Sequence, residues 1–423
     1  MTYVRRILDD ELDALLFPLK AILVDGPKGV GKTRTALERA NSVYRLDDPA
    51  KLQIVQANTD GVLRDSAPIL IDEWQRFPPV WDAVKRNVDG QQYSGPFILT
   101  GSAYVPSATL HSGAMRIPNL RMRPMTLEER GVTTPTVSLS ALAVGERTIE
   151  GDIQNFGLQE YVEEIIASGF PGIRSLNERA RRIMLDSYLQ NIVAKDFPEA
   201  GHRVRKPESV FAWLKAYSAA TATTTSYEKI RDASNPSNST IPVKKTAQNY
   251  IDVLHMLRIL DEVPAWLPGN NFLSILGQAP KHHLADPALA ARALGMTKER
   301  LLSGDNGPIV YPGAGQLLGA LFESLVTLCV RVYAQTMGAQ LFHLRTKDTR
   351  HEIDLILLTP EGKIIGIEVK LSPTVRDNDV KHLLWLKENA KAEVLDLLVI
   401  TTGETAFRRA DDVAVIPLAL LGK

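Results

Sequence analysis

Ala21-Ile22-Leu23-Val24, Gly26-Pro27-Lys28-Gly29-Val30-Gly31-Lys32-Thr33 and Thr35-Ala36-Leu37-Glu38-Arg39-Ala40 read as strand, loop and helix. The middle segment is an unbroken G-x-x-x-x-G-K-T phosphate loop. Its glycines let successive backbone N–H groups turn inward around phosphate oxygens, and the following helix start adds partial positive charge. The nucleotide-binding set is therefore Gly26, Pro27, Lys28, Gly29, Val30, Gly31, Lys32, Thr33 and Arg34. Lys32 is expected at the β- and γ-phosphates of ATP, and the Thr33 hydroxyl on Mg²⁺.

At 423 residues the chain is too long for one ordinary core, and two or three domains are expected. A hydrophobic content of 44% with 23% charged residues is that of a soluble globular protein. Lys+Arg and Asp+Glu both number 49, so net charge gives no pull toward nucleic acid, and a DNA contact needs a local patch. The single cysteine, Cys329, lies in an apolar run and reads as a buried small hydrophobe. That excludes a disulfide framework and favours the cytoplasm. No signal core is read at the N-terminus, and no stretch is read as approaching the roughly 18 apolar residues of a membrane span.

Two further strands follow the loop. Pro68-Ile69-Leu70-Ile71 ends in Asp72-Glu73, and Pro96-Phe97-Ile98-Leu99 ends in Thr100-Gly101-Ser102. Near-continuous apolar runs suit parallel strands buried on both faces, whose carboxyl ends carry the ligand. Asp72 is then placed to hold Mg²⁺, Glu73 to polarise the attacking water, and Thr100 to contact the γ-phosphate or that water.

Asp72-Glu73-Trp74-Gln75, Leu99-Thr100-Gly101-Ser102 and Arg123-Pro124-Met125-Thr126-Leu127-Glu128-Glu129 resemble successive signatures of a known family. It is the prokaryotic family of AAA+-like ATPases with a restriction-endonuclease-like carboxyl-terminal domain. The resemblance runs through essentially the whole chain. The family has Gly-Arg a little before its Arg-Pro-Met-Ser stretch, where this chain reads Gly113-Ala114-Met115-Arg116. By resemblance Arg116 is the arginine finger or γ-phosphate sensor, with Arg121 and Arg123 competing for the role. A finger acting in trans implies a homo-oligomer, hexameric by the same resemblance.

The middle reads as helical. Tyr161 to Ile166, a Gly169-Phe170-Pro171-Gly172 break and Glu178 to Phe197 carry apolar residues at helical spacing, including Ile183, Leu185, Tyr188, Leu189, Ile192 and Val193. Arg174, Arg179, Arg181, Arg182, Arg203, Arg205 and Lys206 make this stretch basic, either as a solvated face or as a DNA contact. Helices near Phe211–Tyr217, Tyr227–Ala233 and Val243–Arg258, a turn over 234–240 and a return over Ile259–Trp266 have the order of a winged helix-turn-helix, again as in the family. Lys244, Lys245, Gln248 and Asn249 would then meet DNA at the second helix. Packing or partner binding is the alternative use.

In the tail, Glu352 to Leu358 alternates like a strand, Pro360-Glu361-Gly362-Lys363 turns, and Ile364 to Lys370 returns. Glu368 and Lys370, two apart, share a face that Asp354 on the neighbouring strand can meet. This is the D…ExK pattern of PD-(D/E)xK nucleases. Asp354 and Glu368, with Glu323 from a helix starting near Gly319, form the expected Mg²⁺ or Mn²⁺ site, and Lys370 positions water.

The expected architecture is α/β: a P-loop NTPase (AAA+-like) parallel sheet over residues 1–150, a helical lid and winged helix over 151–305, and an α/β restriction-endonuclease-like domain over 306–423. The expected activity is ATP hydrolysis driving translocation on, or remodelling of, branched or single-stranded DNA, with no membrane partner. The alternatives are an ATP-dependent switch of antitoxin or defence type with an inactive nuclease-like fold, and a protein-remodelling ATPase.

Overall fold

Five short runs build the first sheet: Ala21–Asp25 (β1), Ser42–Arg45 (β2), Ile69–Asp72 (β3), Phe97–Gly101 (β4) and Asn119–Arg121 (β5). In this computed structural model all neighbours are parallel, in the order β2-β3-β4-β1-β5. The described residues are 3–90, 95–101, 116–202, 204, 206–234, 241–266, 278–303, 314–346 and 350–423. Ser102, residues 113–115, Arg203, Arg205 and turn residues 235–240 lie outside them. Register sets the strand ends side by side, with Asp72 opposite Thr100 and Asp25 opposite Gly101 and Arg121. Ile69, Ile71, Phe97 and Leu99 are fully buried against Val80, Val84 and the Trp74–Trp81 pair, whose rings lie 4.7 Å apart.

The helix after the phosphate loop is Lys32–Leu37, so it starts at the loop's own lysine and ends before Ala40. Gly31 at φ 113° allows that abrupt start, since side-chain-bearing residues avoid this region.

Contacts divide the chain into two units. Unit 1 comprises 1–123 with 196–203 and 252–259, and unit 2 comprises 124–195, 204–251 and 260–423. These units interleave, whereas the ranges read from sequence are consecutive.

Unit 2 begins with a Thr126–Glu129 capping box and Val137–Ser138 (β6). Its helices include Leu158–Ala167, Glu178–Asn191, Pro207–Ala219 and Tyr227–Ala233. The Met125 N–H donates to Gly169 O at 2.8 Å, so the stretch holding Met125 touches the Gly169–Gly172 break there. Ile183 departs from the expected apolar face and is 58% exposed, while Leu185, Leu189, Ile192 and Val193 are buried. The expected wing over Ile259–Trp266 is sparse. Leu260 and Val263 make single antiparallel bridges to Leu284 and Lys281. Ala265–Trp266 (β7) instead joins a larger mixed sheet.

That sheet continues with Gln340–Arg345 (β8), Glu352–Leu358 (β9), Ile364–Val369 (β10), Val394–Thr401 (β11), Phe407–Arg408 (β12) and Ala414–Pro417 (β13). Its order is β12-β13-β11-β10-β9-β8-β7. Leu421–Gly422 (β14) pairs with β6. The helix Asp377–Asn389 covers one face through Val380, Leu383 and Leu386. The helix carrying Glu323 runs Ala314–Thr336, so Gly319 lies inside it rather than at its start. Its Gln316–Thr336 stretch is apolar and long enough to cross a membrane by composition, against the sequence reading, but 72% of its apolar window is buried within the fold. Cys329 is buried in this helix.

Candidate nucleotide site and a second acidic cavity

In unit 1 the phosphate loop is a cradle that only glycine can form. Gly26, Gly29 and Gly31 have φ of 156°, 78° and 113°, and a Cβ on Gly26 would lie 2.2 Å from Met122 O. The Lys32 ammonium is folded onto the loop, donating to Gly26 O at 2.7 Å and Pro27 O at 2.9 Å. Burial holds its pKa down to about 8. Thr33 Oγ1 donates to Asp72 Oδ1 at 2.9 Å, and Thr100 Oγ1 donates to the same oxygen. Two strand ends and the helix start thus converge where Thr33 and Asp72 are expected to share Mg²⁺, and this donor set fits Mg·ATP. Arg34 turns away to pair with Glu38 at 2.8 Å.

Glu73 takes a left-handed backbone, φ 55°, a conformation that costs about 1 kcal/mol or more outside glycine. Its Oε2 accepts from the Gln75 amide. Burial, then the charge of Asp72, raises its pKa, which brings a carboxylate closer to the range useful for accepting a proton from water. Arg116 pairs with Asp89 at 2.9 Å, with about half of each side chain screened from water. Arg121 stands at the end of β5, and the Arg123 carbonyl accepts from Arg6 at 2.7 Å.

Sequence reading missed three supports of this site. Arg6, buried, clamps Val30 O at 3.0 Å as well as Arg123 O. Lys28, inside the loop, is ion-paired with Asp196 at 2.5 Å and Glu199 at 2.9 Å. Asp25, at the end of β1, is paired with Arg258 at 2.6 Å. The partners are far apart in sequence and carry no motif of their own, so only the basic-acidic composition hinted at them.

The depressed Lys32 pKa has a measurable consequence. Free enzyme loses this proton near pH 8, whereas ATP phosphates keep the lysine charged. Binding above pH 8 must then take up a proton. Apparent ATP affinity is expected to fall about tenfold between pH 7 and pH 9, with uptake nearing one proton per ATP, read by calorimetry in buffers of different ionisation enthalpy. A flat affinity without uptake contradicts this.

In unit 2, Glu323, Asp354, Glu368 and Lys370 meet at a cavity of about 400 Å³, also lined by Glu352 and His382. Lys370 Nζ donates to Glu368 Oε1 at 3.1 Å, and the Val369 N–H donates to Asp354 Oδ2 at 2.8 Å. Glu323, Asp354 and Glu368, the expected metal set, line this cavity together. Among the described residues no group of three or more His, Cys, Asp or Glu is arranged to hold a metal ion. Instead the buried Lys281 ammonium sits 2.8 Å from Glu323 and 2.9 Å from Asp354. Burial would raise the Asp354 pKa, but Lys281 and the Val369 N–H hold it below the usual carboxylate range. Burial and Asp354 push Glu323 up to about 8, and the same two causes raise Glu368.

Lys244, Lys245, Gln248 and Asn249 are all exposed on the helix Lys244–Met256. Lys244 lies 3.5 Å from Glu228.

An AAA-domain family model matches residues 19–130. Models described only as domains of unknown function, DUF8612 and DUF4143, match residues 158–300 and 318–421. The chain is 22% identical over 428 residues to an uncharacterized protein of Mycobacterium tuberculosis, covering 99% of this chain and 84% of that one. It is 32% identical over 106 residues to a ferric nitrobindin-like protein of Streptomyces griseus subsp. griseus, which is 25% of this chain. That match spans 55% of the Streptomyces protein's own length. A solved Walker-type ATPase of Pyrococcus abyssi is 14% identical, with a TM-score of 0.37 over 67% of this chain and 94% of that one. Residues 19–130 are an AAA-type P-loop ATPase domain, with the nucleotide and Mg²⁺ use such a domain implies.

Proposed function

We propose that this chain hydrolyses ATP to change its grip on DNA. The observation that carries the reading is the wiring of the phosphate loop. Lys28 is tied to Asp196 and Glu199, and Asp25 to Arg258, all within unit 1. Arg258 lies two residues beyond the helix Lys244–Met256, whose exposed Lys244, Lys245, Gln248 and Asn249 are the proposed DNA contacts. Incoming phosphates compete with Asp196 and Glu199 for Lys28 and repel Asp25, so nucleotide state reaches that helix through the Asp25–Arg258 pair. The helix order before the Leu260–Leu284 and Val263–Lys281 bridges supports a winged-helix reading of this region. The active form is a hexameric ring in which Arg116 of one subunit completes the site of its neighbour.

A second reading is favoured by Lys281. An ammonium between Glu323 and Asp354 suits a nuclease-like fold kept for binding, with ATP as a conformational switch.

Phosphate release by the full chain, titrated with single-stranded, duplex and branched DNA and with an unfolded polypeptide, tests the proposal. A severalfold rise with DNA, saturating, is expected of the motor. In the double variant Lys244→Glu/Lys245→Glu the DNA needed for half-maximal stimulation should rise at least about tenfold, because two phosphate contacts become repulsive. ATP binding with negligible turnover would select the switch, and a response to polypeptide alone would overturn the DNA reading.

A further inference from the structure

Behind the cavity wall, Lys281 is held against two of its lining carboxylates, Glu323 and Asp354. Its N–H donates to Val263 O at 2.8 Å and its carbonyl accepts from Val263 N at 2.9 Å. The next residue is pinned on both sides. His282 N donates to Thr223 O at 2.9 Å, Ala222 N donates to His282 O at 2.8 Å, and the His282 ring lies 2.8 Å from Glu262 Oε1 and 2.6 Å from Thr225 O. From this anchored backbone the side chain, 1% exposed, reaches Glu323 Oε1 at 2.8 Å and Asp354 Oδ1 at 2.9 Å.

We propose that Lys281 is a built-in counterion that takes the place of a divalent cation between Glu323 and Asp354, so that the tail cavity is a metal-independent site. A Mg²⁺ or Mn²⁺ shared by the two carboxylates must sit at about 2.1 Å from their oxygens. The oxygens already touch the ammonium, which would then lie within about 4 Å of a doubly charged ion in a water-poor interior, where like charges repel strongly. Swinging the lysine aside would leave a charge buried without a partner, because its side chain is 1% exposed and these two carboxylates hold it. The remaining oxygen of Asp354 is engaged by the Val369 N–H, and Glu368 by Lys370. The same ammonium accounts for a neighbour: burial, with the Lys281 charge adding to it, pushes the His343 pKa down to about 4.

Mn²⁺ binding to the nucleotide-free full chain, followed by electron paramagnetic resonance and thermal unfolding, tests this. Wild type and Asp354→Asn should bind the same number of Mn²⁺ ions, and Mn²⁺ should shift both melting temperatures equally. Lys281→Met leaves Glu323 and Asp354 facing each other without a cation. It should melt several degrees lower, gain one Mn²⁺ site, and regain stability with Mn²⁺, and adding Asp354→Asn should abolish that gain. Wild-type Mn²⁺ binding that Asp354→Asn removes would overturn the proposal. If Lys281→Met fails to fold, the comparison of wild type with Asp354→Asn decides by itself.

Discussion

Glu73→Gln is expected to bind ATP as wild type does and to hydrolyse it roughly 10²-fold more slowly or worse. The side chain sits at the end of β3 next to Asp72, held by the Gln75 amide, in a left-handed backbone conformation that a mere packing residue has no reason to keep. Its raised pKa, set by burial and by Asp72, suits a group that takes a proton from water as the γ-phosphate is attacked. Glutamine keeps the shape and the hydrogen bond but cannot accept the proton. A steady-state phosphate-release assay at saturating Mg·ATP checks it. Wild-type turnover in the variant would remove Glu73 from the mechanism.

The second large effect is on binding. Lys32→Ala is expected to weaken ATP binding by about 2–5 kcal/mol, or about 30-fold to several thousand-fold, as when one partner of a buried charge pair is removed. The fold should survive. Lys32 is buried with its charge penalised, and its partners Gly26 O and Pro27 O are carbonyls that water in an open loop can satisfy. Calorimetric titration with ATP, beside a circular-dichroism melt, separates lost binding from lost fold. Unchanged affinity would mean that the loop cradles phosphate through backbone N–H groups alone.

Much of unit 1 is legible in sequence because its information is local. Apolar runs buried on both faces announce parallel strands, and an unbroken glycine motif announces the loop between strand and helix. The strand ends Asp72, Glu73 and Thr100 follow from the rule that such sheets bind at their carboxyl edges. Strand pairing in the tail is equally local, since β9 and β10 are antiparallel neighbours joined by one turn. What sequence could not reveal is long-range charge. Lys281 is 42 residues from Glu323 and 73 from Asp354, in a Lys-His-His stretch with no periodicity. Arg6 reads as an ordinary polar start, yet its guanidinium is buried across the phosphate loop. The Asp25–Arg258 pair spans 233 positions. Each of these contacts is fixed by how elements pack, and packing partners are not written in composition or period.

The coupling of nucleotide to DNA is the centre of this account, and the trapped state gives the most direct access to it. DNA affinity of the Glu73→Gln chain, measured by fluorescence anisotropy with and without Mg·ATP, isolates ATP binding from turnover. Loosening the Asp25–Arg258 pair on ATP binding predicts a change in DNA affinity of about tenfold, within the usual range of coupling between sites. The same affinity with and without ATP, in a chain shown to bind ATP, would contradict the account.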